Sequence, residues 1–278
     1  MKVFESYEQL LLDAAERLKA AEIADADIDA WYLLEFVTGM NRALYFLEKY
    51  NRPSDEEIRK FEELLEKRIS HIPLQHITGR QEFMGLDFIV SEDVLCPRQD
   101  TETLVESVLE YTPGSKVLDV CTGSGCIAVA LMKLGNASCC DAVDLSEAAL
   151  DIAKQNAELN DVSINFIKSD MFEKIDGKYD IIVSNPPYIR PDVIETLMPE
   201  VREHEPLMAL DGGSDGLDFY RIIAAQSKEH LEENGILAVE IGYDQWEDVS
   251  ELFRQNGFRD IVRIKDLSQN DRVVMCKK

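Results

Sequence analysis

The stretch Lys116-Val-Leu-Asp119-Val-Cys121-Thr122-Gly123-Ser124-Gly125-Cys-Ile-Ala128 decides how the chain is read. Its apolar run Lys116–Val120 has the length of a strand and stops at two closely spaced glycines, after which Ile127 to Leu134 has the apolar density of a buried helix. Strand, glycine turn and helix together open a β–α unit. Glycines at 123 and 125 let backbone approach a ligand closely, and the first N–H groups of the following helix favour an anionic or polar group there. The same pattern is also that of an ordinary strand–helix turn, so what surrounds it separates the two.

Downstream, strands are expected at Cys139–Asp144, Ile164–Ser169, Asp180–Ser184, Gly235–Ile241, Ile261–Ile264 and Arg272–Cys276, with helices near Ala148–Leu159, Leu217–Leu231 and Gln245–Asn256. Strands alternating with helices imply a parallel sheet covered on both faces. Only Lys265 to Asp271 separates the last two strands, too short for a helical crossover, so they should pair antiparallel. In an open sheet of this kind ligands sit at the carboxyl ends of the strands. The second strand ends in Asp144, nineteen residues after Gly125, and a carboxylate there can accept both hydroxyls of a ribose. Asp170, ending the third strand, can accept from an adenine amino group, with Met171 or Phe172 against the ring. Three strand ends thus offer three anchors for one adenosine. Gly123-x-Gly125-x-x-Ala128 satisfies the dinucleotide fingerprint as well. Against a nicotinamide cofactor stand Asp119 before the loop and the end of the fourth strand, which lacks the His or Lys a hydride acceptor would need.

That fourth strand runs Tyr179-Asp-Ile-Ile-Val-Ser-Asn185-Pro186-Pro187-Tyr188-Ile189. A proline cannot donate to a sheet ladder, so the strand ends before Pro186 and leaves Asn185 at the carboxyl edge. Residues before prolines are held extended, so the turn starts stiff. Neither proline carries an N–H, and the turn therefore offers acceptors: the Asn185 side-chain oxygen and the Pro186 carbonyl. Such a site suits a planar NH2 group, which has two donors to place and one face left for reaction.

The chain has 278 residues, enough for two domains. The first seventy or so have helical period: Tyr7, Leu10, Leu11, Ala14, Ala15 and Leu18 recur on one face, Trp31, Leu34 and Val37 on a second helix, and Ser54-Asp-Glu-Glu57 has capping-box spacing before Ile58, Phe61, Leu65 and Ile69. Ile77–Met84 and Asp87–Val90 read as two strands about a turn at Gly85-Leu86. The expected division is residues 1–72 helical, 73–96 a β-hairpin linker, and 97–278 the sheet domain.

Six cysteines form no CxxC pair, and His71 and His76 flank Pro73 without ligand spacing, so no metal site is expected. No apolar run approaches the roughly 20 residues a membrane helix needs and the chain opens without a signal-peptide core, so a cytoplasmic protein without membrane contact is expected. A net charge of −25 repels phosphate backbones and argues against broad nucleic-acid binding; a basic protein partner is more easily accommodated.

The loop 119-DVCTGSGCIA-128, the acid in 142-AVDLS-146 and the turn 180-DIIVSNPPYI-189 resemble the class I S-adenosylmethionine methyltransferases with an NPPY motif. More narrowly, 97-PRQDTE-102, 206-PLMALDGGSDGLDFYR-221, 239-VEIGYDQ-245 and 266-DLSQNDRVV-274, behind a helical amino-terminal domain, resemble the PrmC (HemK) family. The match runs over essentially the whole chain; Cys121 stands where a glycine is usual and Gln99 where proline is common.

The resemblance implies a Rossmann-like α/β fold: a seven-stranded, mostly parallel sheet with an antiparallel last strand. It further implies methyl transfer from S-adenosyl-L-methionine to the side-chain amide nitrogen of the glutamine in the Gly-Gly-Gln loop of class 1 peptide release factors, by a chain read as a monomer. The helical domain would help hold the release factor. Cofactor contacts would come from Asp119, Cys121, Thr122, Gly123, Ser124 and Gly125, and from Asp144, Asp170, Met171 and Asn185. Asn185, Pro186, Pro187 and Tyr188 would hold the substrate amide. Amino methyltransferases of adenine or cytosine share NPPY and are the nearest alternative, although they should carry a basic groove. A non-catalytic scaffold would be marked by a broken loop or a lost Asn185, and both are intact.

Overall fold

The computed structural model describes residues 4–278. The chain falls into two compact units, one reaching to Gly79 and including Pro199–His204, the other comprising Arg80–Met198 and Glu205–Lys278.

The first unit contains α1 (Tyr7–Ala20), α2 (Ala26–Thr38), α3 (Arg42–Glu48), α4 (Asp55–Ile69) and α5 (Leu74–Thr78). The expected apolar faces are the ones buried: Leu10 and Leu18 of α1, Trp31 and Leu34 of α2, and Phe61 and Leu65 of α4 share one core. Ser54 and Glu57 form the reciprocal capping box that starts α4. Arg68, buried, is paired with Asp29 at 2.7 Å and Glu200 at 2.9 Å, which satisfies a charge otherwise costly to bury. One reading fails here. The strand expected from Ile77 begins only at Arg80, because Leu74–Thr78 closes a short helix that Gly79 ends at φ 69°. Five residues are too few for a helical period to show against a β-branched, strand-like composition.

The second unit opens with a hairpin of β1 (Arg80–Phe83) and β2 (Leu86–Ile89), whose loop is Met84-Gly85 rather than Gly85-Leu86. Then follow α6 (Gln99–Val108), β3 (Lys116–Val120), α7 (Cys126–Lys133), β4 (Cys139–Asp144), α8 (Glu147–Leu159), β5 (Asn165–Lys168), β6 (Tyr179–Ser184) and α9 (Pro191–Ile194). After α10 (Pro199–His204), which belongs to the first unit, come α11 (Asp218–Gln226), β7 (Leu231–Glu240), α12 (Trp246–Gln255), β8 (Arg259–Lys265) and β9 (Asp271–Lys277). The helix expected to reach Leu231 stops at Gln226, and β7 starts four residues earlier than the apolar run suggested.

Strands β3 to β9 form one seven-stranded sheet in the order β5-β4-β3-β6-β7-β9-β8, with β9 antiparallel to both neighbours. The sheet is covered on both faces, and the period of two sorts its side chains. Leu118, Val120 and Ile182 face a core shared with Tyr220 and Phe253, whereas Val117, Ile181 and Val183 face one shared with Leu104 and Leu131. Strand order reverses between β3 and β6, which puts the glycine loop and the Asn-Pro-Pro turn side by side at the carboxyl edge.

Candidate active site

A cavity of about 440 Å³ opens at this edge, within the size range of small-molecule sites. Its wall includes Cys121, Thr122, Gly123 and Ser124 from the loop after β3, Asp144 from β4, Asp170 and Met171 after β5, and Asn185 and Pro187 after β6. Asp119, Gly125, Pro186 and Tyr188 adjoin residues of this wall in the chain without lining the cavity themselves.

The loop is held from below. Asp119, fully buried, accepts from the Thr122 hydroxyl at 2.6 Å and the Ala128 N–H at 3.3 Å, so it braces the turn rather than facing the cavity. Burial pushes its carboxyl up to about 7, against the pull of those two hydrogen bonds, and its Oδ1 has no partner among the described residues. Gly125, at φ 78°, begins α7, and a Cβ there would lie 3.0 Å from that of Ala153; only glycine lets α8 pass so close. Cys121 adopts φ 61°, a left-handed conformation glycine reaches without cost. Its thiol contacts the Met171 sulfur at 3.7 Å, and burial raises its pKa, so it is a packed thiol and not a nucleophile.

Asp144 accepts the Gly123 N–H at 2.8 Å through one carboxylate oxygen and the Ser146 N–H at 2.9 Å through the other, leaving a lone pair on each for a ligand. Burial raises its pKa while these bonds oppose the rise. Asp170 is exposed at the cavity rim. Of the two candidates for a ring contact, Met171 lines the cavity, whereas Phe172 stacks on His230 at 5.3 Å.

On the neighbouring strand, Ser184 donates to the Val120 carbonyl at 2.6 Å, tying the two strand ends together. The Asn185 Nδ2 donates to the Thr101 hydroxyl at 3.2 Å, and no described residue donates to its Oδ1. The rest of the turn is clamped by the segments 206–221 and 239–245, which the sequence singled out by resemblance without placing them against the turn. Ile189 exchanges backbone hydrogen bonds with Leu210 and Gly212, each 2.9 Å, and a Cβ on Gly212 would fall 2.6 Å from the Tyr188 Cα. Gln245 donates through one amide group to the carbonyls of Tyr188 and Gly216, both at 3.1 Å. The Tyr188 hydroxyl donates to Glu240 at 3.2 Å, and burial raises the tyrosine's pKa further out of reach.

Glu240 is itself buried, at 2% exposure, and burial pushes its carboxyl up to about 7 against Thr101, Arg272 and Tyr188, which favour the charged form. Arg272 is in turn paired with Asp100 at 3.0 Å and Asp266 at 3.1 Å. Arg98, also on the cavity wall, meets Glu205 through two contacts of 2.8 Å, fixing the segment that carries Cys96 and Pro97. Most of these partners lie in the segments 97–102, 206–221, 239–245 and 266–274 that carry the family resemblance, but those segments are far apart in the chain, so the sequence marked them without showing which pairs with which.

Residues 9–79 match the PrmC N-terminal domain and residues 97–200 the Methyltransferase small domain. The release factor glutamine methyltransferase of Agrobacterium fabrum is 42% identical over 277 residues, covering 96% of each chain; that of Geobacter sulfurreducens is 42% identical over 91% of this chain and 89% of its own. The chain belongs to the release factor glutamine methyltransferase family. Among solved structures, a methyltransferase from Pyrococcus furiosus shares the fold at a TM-score of 0.55 and 18% identity, over 79% of this chain and 98% of its own. The ribosomal protein L11 methylase of Lactobacillus delbrueckii subsp. bulgaricus does so at 0.50 and 25%, over 66% and 80%.

The methyl donor of this methyltransferase is S-adenosyl-L-methionine. The residues present fit it: Asp144 keeps acceptor capacity for a ribose diol, Met171, Leu145 and Ala149 give an apolar wall for a ring, and Gly123 at φ 54° brings backbone to the cavity with nothing within 4 Å of where its Cβ would stand.

Proposed function

We propose that this enzyme methylates the side-chain amide nitrogen of a release-factor glutamine held by the Asn185–Tyr188 turn. The observation that carries this reading is the unoccupied acceptor at Asn185 Oδ1, on the wall of the same cavity that holds Asp144 and the glycine loop. Pro186 has no N–H to compete for its own carbonyl, and no described residue donates to that carbonyl either.

S-adenosyl-L-methionine supplies a methyl group on a positively charged sulfur. An amide nitrogen is a poor nucleophile because its lone pair is delocalised into the carbonyl. Asn185 Oδ1 accepts one hydrogen of the substrate NH2 and the Pro186 carbonyl accepts the other, which fixes the nitrogen and favours localisation of its lone pair. Tyr188, held by Glu240 and Gln245, keeps the turn rigid behind the amide. Correct placement of two reactants is worth on the order of 7–11 kcal/mol of barrier, so no general base among these residues is needed. The methylated amide is acidic enough to pass its proton to water. Acceptor oxygens around the nitrogen also stabilise the positive charge that develops on it.

The cofactor roles of Thr122, Ser124 and Asp170 belong to the same reading, with Asp119, Cys121 and Gly125 shaping the loop. The helical unit serves to hold the release factor: Ile28, Tyr32 and Phe36 form an exposed apolar stripe along α2, next in sequence to exposed Phe46, Leu47 and Tyr50. Replacing Tyr32 and Phe36 by Ser should raise KM for intact release factor several-fold and leave kcat unchanged; an unchanged KM removes the stripe from the interface.

Mass spectrometry of the Gly-Gly-Gln glutamine, after incubation of the enzyme with release factor and S-adenosyl-L-methionine, tests the whole reading. One added methyl on the side-chain nitrogen is expected. An unmodified glutamine beside methylated DNA or RNA in a parallel reaction would transfer the function to nucleic acid.

A further inference from the structure

Helix α8 serves the cavity with three residues of one face. Ala149 lines it, Ala153 lies where a Cβ on Gly125 would come within 3.0 Å, and Asn156, wholly buried, follows one turn later. The Asn156 Oδ1 accepts the Ile89 N–H at 2.6 Å, and its Nδ2 donates to the carbonyls of Ile89 and Ser124, each at 2.9 Å. Ile89 offers one backbone donor and one acceptor, so the amide fits only one way round: rotated, it would set NH2 against N–H and its oxygen against two carbonyls. Ser124 belongs to the glycine loop after β3, and the Ser124–Gly125 peptide is held from its other side too, where the Gly125 N–H donates to the Thr122 carbonyl at 2.8 Å. Ile89 ends β2. Directly after it, Val90, Val94 and Cys96 pack with Ala149, and Asp93 to Pro97 form another part of the cavity wall.

We infer that Asn156 is a positioning residue that fastens two walls of the cofactor cavity to each other, the glycine loop and the segment leaving β2, so that S-adenosyl-L-methionine orders both together. A buried carbonyl that loses its donor is costly, so without the Asn156 NH2 the Ser124 peptide must turn or the loop must open, and binding has to restore it. Coupling of this kind is reciprocal: a ligand that steadies the loop steadies Ile89 through the shared amide. Asn160, the residue that caps α8, provides the contrast. Its Nδ2 donates to the Asp87 carbonyl at 2.9 Å, two residues before Ile89, because four helical residues and two strand residues each advance about 6–7 Å. Among the described residues it has no hydrogen bond to the loop, so it holds the hairpin alone.

This inference rests on the reading of the glycine loop as a cofactor contact, and amide hydrogen exchange keeps the two apart. In wild-type enzyme S-adenosyl-L-methionine should slow exchange at Gly123 and Gly125 and also at Ile89, which does not line the cavity. Loop amides that do not respond would remove the loop from the cofactor site. Loop amides that slow while Ile89 does not overturn the inference, and this arm needs no variant to fold. Asn156→Asp keeps the volume and the acceptor for the Ile89 N–H but loses both donors. It should bind S-adenosyl-L-methionine roughly tenfold or more weakly in calorimetry, with Ile89 no longer slowed by the cofactor. Asn160→Ala, which loosens the same hairpin without touching the loop, should keep the affinity within about twofold and the response at Ile89 intact. An Asn156→Asp that binds as wild type does, or an Asn160→Ala that loses as much affinity, overturns the inference, since the amide would then serve only the packing of the hairpin.

Discussion

Two neighbouring strand ends, those of β3 and β6, face the same cavity with opposite hydrogen-bonding character. The loop after β3 is built from small residues in left-handed conformations, Cys121, Gly123 and Gly125, and leads into the amino-terminal turn of α7. The turn after β6 is built from an asparagine and two prolines, and it has almost nothing to donate. The first end can receive a charged or polar cofactor through backbone, and the second can receive only a group that brings its own hydrogens. A parallel sheet places both within one cavity because the strand order reverses between them. A donor and an acceptor of a methyl group can thus be recognised side by side without competing for the same contacts.

The comparison is broken most severely at Asn185. Asn185→Ala should reduce methyl transfer by roughly a hundredfold or more, since placement is most of what the turn contributes, and leave donor affinity within a few-fold. Asn185→Asp keeps an acceptor oxygen but loses the N–H given to Thr101, and should be severely impaired as well. Rates near wild type in a release-factor assay would contradict both.

Asp144→Ala acts on the other end. Losing a charged acceptor of two hydroxyls should weaken S-adenosyl-L-methionine binding by about tenfold or more in calorimetry, with the glycine loop also freed from its Gly123 anchor. Unchanged affinity would remove the ribose assignment.

The buried acid beneath the loop gives a pH signature. Asp119 is raised from an ordinary 3.8 to about 7 in the folded protein, so the native state binds the proton more tightly than the unfolded chain. Its contribution is therefore fully present below about 3.8 and is lost as pH rises through about 7. Wild-type stability minus that of Asp119→Asn, from denaturant titrations, should fall across that window and be flat above it; a difference independent of pH would mean Asp119 is already ionised.

The smallest effect sharpens the contrast in backbone. Cys121→Val places a β-branched residue at φ 61° and should lower stability by about 1–3 kcal/mol, whereas Cys121→Gly should stay within about 1 kcal/mol of wild type. Equal stabilities would show that the loop entry is not strained.

The alternation of strands and helices, the loop at 119–128, Asp144 and the Asn185 turn were all legible because each is a local pattern: a period, a proline that stops a ladder, a glycine where backbone must come close. The antiparallel pairing of the last two strands was legible from the shortness of their connection. What local pattern could not show was which residue stands behind which. Asp119 looked like a cofactor contact and proves to be a brace, because the pleat, not the spacing, sends its side chain inward beneath α7. Met171 and Phe172 were indistinguishable as neighbours, and only the course of the chain after β5 turned one to the cavity and the other to His230. Gly212, Gln245, Glu240 and Thr101 are separated from the turn they support by tens of residues, and α5 was too short to show a period.

The amino-acid sequence by itself determined the sheet, which residue types stand at its two strand ends, and the family, since these follow from residue types at fixed short spacing. Tertiary structure alone decided how the Asn185 turn is held, because Thr101, Glu240 and Gln245 come from elements far from it in the chain. Those partners reach the turn only when β6, β7 and α6 are packed together.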